Sequence, residues 1–212
     1  MSKPVKDAFA CLAKGIIKNL EARNMEGYYC EDSKACVEKI LSLMPAGSIV
    51  SWGGSMSISE CGLMDAIRQK DYVLIDRDTA TTPEEKREIY AKTVLADYYL
   101  MSSNAITMEG ELMNIDGFGN RVACLITGPS NVCVIVGRNK VVEDIEYAES
   151  RIRNVASPAN TQRLNKQTPC AFTGRCGNCL SPDCICNQFV ITRRSGIKGR
   201  IKVFLVNEEL GY

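Results

Sequence analysis

Two kinds of hydrophobic pattern alternate along the chain. Near the start, Val5, Phe9, Leu12, Ile16 and Leu20 recur at helical spacing with charges between them, which predicts an amphipathic helix over 4–23. Short apolar runs at 27–30, 48–52, 72–75, 98–101, 131–136, 189–192 and 200–206 read as strands. Polar stretches with helical start and stop signals lie between them. Asp32 or Ser33 caps a helix that runs to 44, where Pro45 and Gly47 stop it. Residues 57–70 read as a helix. Thr82 caps the next one, Pro83 takes its first position, and Glu84 and Glu85 sit in its first turn. A last helix is expected over 143–153, with Pro158 interrupting its continuation to about 166. Strand–helix alternation of this kind predicts an α/β fold with a mostly parallel sheet and helices on both faces. The strands at 48–52, 72–75, 98–101 and 131–136 are expected to share that sheet.

Composition narrows the chemistry. Hydrophobic residues make up 45% of the 212 positions, enough for a sizeable core. Lys plus Arg is 26 against 25 Asp plus Glu, a balance that argues against broad binding to nucleic acid or anionic lipid. There is no His, so a Ser-His-Asp triad, a Cys-His pair and His-ligated zinc are all excluded. An acid or base must be a carboxylate, Lys, Cys or Tyr. The charged, helical start of the chain does not read as a signal peptide, and no run approaches the ~20 apolar residues of a membrane span. A cytoplasmic location with reduced thiols is expected, and the odd count of 11 Cys speaks against a disulfide framework.

Two segments carry candidate ligand chemistry. In the first, a strand ends at Trp52, Gly53 and Gly54 turn the chain, and Ser55, Ser57 and Ser59 open a helix. Free N–H groups at a helix start favour an anion, and the site would lie at the carboxyl end of a strand. The other reading is a glycine turn with a serine cap and nothing bound. The turn matches neither the nucleotide P-loop nor the dinucleotide fingerprint, so no nucleotide cofactor is expected. The second segment, 102–121, is dense in Asn, Gly, Asp and Glu. Residues 108–111 read as a turn between two short strands, and 116–120 as a loop closing on a helix capped by Asn120. Asn104, Asn114, Asp116 and Arg121 either converge on a ligand or satisfy turn backbone.

Five cysteines, Cys170, Cys176, Cys179, Cys184 and Cys186, fall within 17 residues in the spacing C-x5-C-x2-C-x4-C-x-C. A C-x2-C pair lets two thiolates grip one tetrahedral ion, and two further thiolates would complete a site for zinc or an iron–sulfur cluster. Cys170, Cys176 and Cys179 are the strongest candidates, and Cys184 and Cys186 compete for the fourth place. The alternative is a loop of free thiols, with redox pairing of Cys176 and Cys179. Cys124 and Cys133 lie in apolar runs and are expected to be small core residues.

Taken together, these motifs resemble the LUD domain family, named for lactate utilization. The resemblance rests on Trp52-Gly53-Gly54-Ser55-Met56, on Ser103-Asn104-Ala105-Ile106-Thr107, on 110–122, on Val136-Gly137-Arg138-Asn139-Lys140-Val141-Val142 and on Pro169-Cys170 with the Cys cluster. It covers nearly the whole chain, and 102–141 is its most specific part. It implies a single domain over 1–212 with a Cys-rich loop at 168–187, and a three-layer fold like that of ribose-5-phosphate isomerase, glucosamine-phosphate deaminase and coenzyme A transferases. Carried over residue by residue, it implies a pocket of Gly53, Gly54, Ser55, Asn104, Asn114, Asp116, Gly117, Asn120 and Lys140. Lys140 either meets an anionic group there or is a solvated loop cation. With no His present, Asp116 is the expected acid/base group if the chain is an enzyme. The resemblance leaves two functions open. One is an enzyme or subunit handling a small anionic metabolite. The other is a non-catalytic, metal-stabilised component of an iron–sulfur electron-transfer assembly.

Overall fold

The computed structural model describes residues 2–212, so Met1 of the expected domain lies outside the described residues. In chain order the strands are β1 (Glu26–Cys30), β2 (Ile49–Trp52), β3 (Val73–Ile75), β4 (Tyr98–Ser102), β5 (Ala105–Thr107), β6 (Leu112–Asp116), β7 (Asn131–Gly137), β8 (Val141–Val142), β9 (Gln188–Thr192) and β10 (Ile201–Val206). The helices are α1 (Lys3–Ala22), α2 (Ser33–Leu43), α3 (Met56–Glu60), α4 (Leu63–Arg68), α5 (Pro83–Val94), α6 (Asn120–Ile126), α7 (Ile145–Arg151), α8 (Ser157–Arg163) and α9 (Pro169–Thr173).

Six strands form one parallel sheet in the order β1-β10-β7-β4-β2-β3. Strands β4 and β10 are buried along their whole length, because helices cover both faces and no side of the pleat meets water. On one face α1 presents Phe9, Ala13, Ile16 and Leu20 to Val134, Val136, Val203 and Leu205. On the other, Ile40, Ile58, Leu63 and Ile67 from α2, α3 and α4 pack on Cys133, Ile135, Phe204 and Val206. Successive strand residues thus serve opposite cores. Cys124 and Cys133 are core residues, as their apolar runs suggest.

A smaller sheet, in the order β8-β5-β6-β9, stands beside the first. Strands β5 and β6 form the expected hairpin, β8 joins β5 in parallel, and β9 pairs antiparallel with β6. Two short links join the sheets: Ser103 and Asn104 lead from β4 to β5, and a 3-10 turn, Arg138–Lys140, leads from β7 to β8. The residues expected as two consecutive closing strands therefore separate, β9 to the small sheet and β10 to the large one.

Three helix expectations change. The single helix over 57–70 is two, because Gly62 takes a left-handed φ of 79° between α3 and α4. The expected break at Pro158 is bridged: a π turn, Ile152–Ala156, joins α7 to α8, and Pro158 follows it as the second residue of α8. Asn120 is the first residue of α6, and its cap is Gly119. The cap at Thr82 forms as expected, with Glu85 returning to its backbone in a capping box. Among the described residues, no helix is long and apolar enough to cross a membrane.

Candidate functional site

Adjacent parallel strands β2, β4 and β7 end at one rim, and the chain leaves them through 53–55, 103–104 and 138–140. These exits and the loop after β6 enclose a cleft of about 530 Å³. Its inner wall carries Gly54, Ser55, Ser102, Ser103, Asn104, Asp116, Gly117, Asn120 and Lys140. Its outer wall comes from α8, from 182–187 and from Tyr212. The Gly-Gly-Ser turn and the loop after β6 thus face one cavity.

Gly53 lies behind that cavity. A side chain there would meet the Tyr99 hydroxyl at 2.9 Å and the Arg121 stem at 3.2 Å, so the glycine is needed for close packing. Gly137 is similarly constrained, because a Cβ would lie 2.6 Å from both Asn139 Oδ1 and the Leu210 nitrogen. Ser55 caps α3 by accepting from the Ile58 N–H. Ser57 is buried; its Oγ donates to the Leu210 carbonyl and accepts from Lys140, and is not a free anion donor.

Arg121 holds the inner wall together. Its Nη1 donates to the Ser102 carbonyl and to Asn114 Oδ1, its Nη2 to Asn104 Oδ1 and the Ile115 carbonyl, and its Nε to Asp116 Oδ2 at 3.1 Å. All five N–H donors are matched, so Arg121 is a clamp between β4, β6 and α6, and has no donor left for a ligand. Burial lowers its basicity and the Asp116 carboxylate beside it opposes that effect. The other oxygen of Asp116 accepts from the Phe118 and Gly119 N–H groups at 3.1 and 2.7 Å. Asn104 also accepts from the Ile115 N–H, and its own N–H donates to Asn114 Oδ1. Asn114 is fully buried, and its Nδ2 has no partner among the described residues.

Lys140 is held differently. The turn after β7 buries it to 4% exposure, and its Nζ donates to Ser57 Oγ at 2.7 Å and Ser102 Oγ at 3.1 Å. It forms no ion pair with the described residues. Burial pushes its pKa down to about 7, the nearby Arg151 and Arg121 charges push the same way, and Glu60 opposes them. The reading of Lys140 as a solvated loop cation therefore gives way to a buried amine at the cleft wall. The sequence shows the residue but not its burial, which depends on Ser57 from α3 and on the backbone at 210–211.

The charged lining is mainly cationic: Arg77, Arg121, Lys140, Arg163 and Lys166 against Asp116 and Asp183. Asp183 pairs with Lys166 at 3.3 Å. Arg77 and Arg163 were not singled out in the sequence; Arg77 follows β3 at the same rim, a position that could have marked it. A second, more apolar cavity of about 890 Å³ adjoins the first, walled by Trp52, Tyr90, Tyr99, Phe118 and Cys124.

The five clustered cysteines do not converge. Cys170 turns inward toward Thr161 and Thr168, whose hydroxyls lie 3.7 and 3.2 Å from its sulfur. Cys176 accepts from Arg153 Nε and the Asn178 N–H, Cys184 accepts from the Cys186 N–H, and Cys186 meets Ser157 Oγ. Cys179 is half-buried. Among the described residues, no three Cys, Asp or Glu side chains are grouped to hold a metal ion. As arranged, these residues do not fit the four-thiolate site that their spacing suggests.

The profile of the LUD domain family matches residues 13–206. Among solved structures, a DUF162 family protein from Deinococcus radiodurans aligns with a TM-score of 0.53 and 13% identity, over 93% of this chain and 98% of that one. At that identity the likeness concerns the fold. Ribose 5 phosphate isomerase A from Neisseria gonorrhoeae aligns with a TM-score of 0.34 and 13% identity, over 57% of this chain and 62% of that one. A search of curated proteins finds no match to the chain.

Proposed function

Since this chain belongs to the LUD domain family, which is tied to lactate utilization, we propose that its cleft binds a small organic acid anion. One observation carries the reading: both lining carboxylates are already ion-paired within the wall, which leaves Lys140 and Arg163 without a carboxylate partner among the described residues and Arg77 with only the exposed Asp78, at 3.7 Å. A cleft with surplus positive charge and low-dielectric walls favours an anion of matching size. Arg77 and Arg163 would meet a carboxylate at the open side, and Ser102, Ser103 and Asn104 would border the rest of the molecule. Asp116, with both oxygens engaged, keeps the loop and Arg121 in place. Lys140 is the group best placed to hold or accept a proton, because its amine lies at the wall with no carboxylate in ion-pair contact among the described residues.

The test is a titration of the full chain with L-lactate and with pyruvate, followed by NMR of the ligand and by calorimetry. Replacing Arg163 with Met should weaken binding about 10-fold or more, the usual effect of removing one charge-assisted hydrogen bond. Equal affinity of the wild-type chain and the variant, or no binding of either acid, would overturn the assignment.

A further inference from the structure

Resting on that reading of the cleft, we propose that Lys140 is a nucleophile whose amine captures the carbonyl carbon of a small 2-oxo acid as an imine. The hydrogen-bond directions support this. Ser57 Oγ gives its own proton to the Leu210 carbonyl, and Ser102 Oγ gives its proton to the Ser103 carbonyl. Both hydroxyl oxygens are therefore acceptors toward Nζ. Two acceptors match the two N–H bonds of a neutral amine and leave its lone pair as the one unengaged position. An ammonium in the same place would carry a third N–H with no acceptor among the described residues. Burial without a carboxylate partner, close to other cations, is the setting in which a lysine becomes a nucleophile toward carbonyls. The charged groups facing Nζ fit this: Arg151 from α7 and Arg121 from α6 disfavour its protonation, and Glu60 from α3, whose carboxylate accepts from the Gly211 N–H, is the one that favours it.

The step balances without an oxidant. The Nζ lone pair attacks the carbonyl carbon, forming a C–N bond, while the carbonyl oxygen takes a proton and becomes the hydroxyl of a carbinolamine. The nitrogen then loses its remaining proton, the hydroxyl leaves as water, and a C=N bond results. One water is released, and no electrons leave the pair. Arg163, which has no carboxylate partner among the described residues, would hold the carboxylate of the same molecule, with Arg77, whose Nε also meets the exposed Asp78 at 3.7 Å, beside it. The chemistry selects the carbonyl form of an organic acid; a 2-hydroxy acid fits the cleft but cannot form the covalent bond.

The experiment uses the full chain, pyruvate as probe and sodium cyanoborohydride to reduce any imine to a stable secondary amine. At pH 7, intact mass should rise by one reduced pyruvate per chain, and peptide mapping should place it on Lys140. Exposed lysines such as Lys14 and Lys18, which lie outside the cleft lining, should stay mostly unmodified. Trapping at Lys140 should decline as pH falls below 7, and L-lactate should slow it by competition. Pyruvate that binds, is displaced by lactate and yet leaves no adduct on Lys140 would overturn the imine while the anion cleft stands. Adducts spread evenly over exposed lysines, with no binding of either acid, would overturn both. Because the wild-type chain carries the decisive readout, the result does not depend on whether a Lys140→Arg variant folds.

Discussion

Arg121 and Lys140 are both buried cations in the wall of one cleft, and they are held in opposite ways. Arg121 has an acceptor for every N–H and a carboxylate in contact. Lys140 has two serine hydroxyls and no ion pair among the described residues. A fully matched guanidinium keeps its charge and fixes geometry, because removing its proton or its partners would strand several buried acceptors. A half-matched amine can lose its charge cheaply, and its chemistry then becomes available. The first region is thus the frame of the cleft and the second its reactive point.

The largest expected effect is on the frame. Arg121→Met should destabilise the fold by about 3–5 kcal/mol, since it leaves the Asp116 charge unpaired at Oδ2 and takes one donor from each of Asn104 Oδ1, Asn114 Oδ1 and the Ser102 and Ile115 carbonyls. Urea denaturation measures it. Adding Asp116→Asn should recover part of the loss, because the stranded charge disappears. A loss under 1 kcal/mol would mean that the clamp is dispensable and that the contrast with Lys140 is unfounded.

An effect of opposite sign is expected at Lys140. The folded-state pKa is depressed to about 7, well below that of an unfolded lysine. Between those values the unfolded chain binds one proton more, so this group makes stability rise with pH. Below pH 7 the amine is charged in both states, and its burial cost is present in full. Lys140→Met should therefore stabilise the protein most below pH 7. Its advantage should shrink by about 1.4 kcal/mol per pH unit between pH 7 and the pKa of an unfolded lysine. Melting curves at pH 6 and pH 9 separate the outcomes; a variant less stable at both would show that the amine is a structural contact.

The large sheet was legible in the sequence because its strands are buried on both faces and read as apolar runs, and because the helices between them carry clear caps such as Asp32 and Thr82. Of the small sheet, the β5–β6 hairpin and a strand at 189–192 were legible, but not their assembly: β8 is two residues long, and β6 finds β9 across a long stretch of chain, which no local period marks. The site divides in the same way. Gly54, Ser55, Asn104, Asp116 and Lys140 could be placed at one rim from strand ends and family resemblance. That Arg121 is fully engaged, and that Lys140 is buried, depends on partners from four separate elements. No spacing rule reports such partners.

The Cys-rich loop extends the contrast to sulfur and carries the smallest effect. Burial raises the pKa of the Cys176 thiol, but the Arg153 guanidinium 3.4 Å away and the Asn178 N–H outweigh it, so the net value lies below that of an ordinary thiol. More thiolate is then present at neutral pH, and thiolate is the reactive form. In protein prepared without oxygen, iodoacetamide at pH 7 should modify Cys176 several-fold faster than the exposed Cys11, and Arg153→Met should remove most of that advantage. Overall stability should change by less than about 1 kcal/mol in the variant, because Arg153 is a surface partner of Glu149 and Cys176. The same preparation tests the four-thiolate reading, since a thiolate bound to zinc or to an iron–sulfur cluster is shielded from alkylation and its metal is lost with the ligand. Stoichiometric metal that disappears in Cys176→Ser with Cys179→Ser, together with slow alkylation of the wild-type chain, would show that this loop rearranges around a metal. Fast alkylation of Cys176 with equal, trace metal in both proteins would leave it as a thiolate held by one guanidinium, less fully matched than Arg121 and more exposed than Lys140.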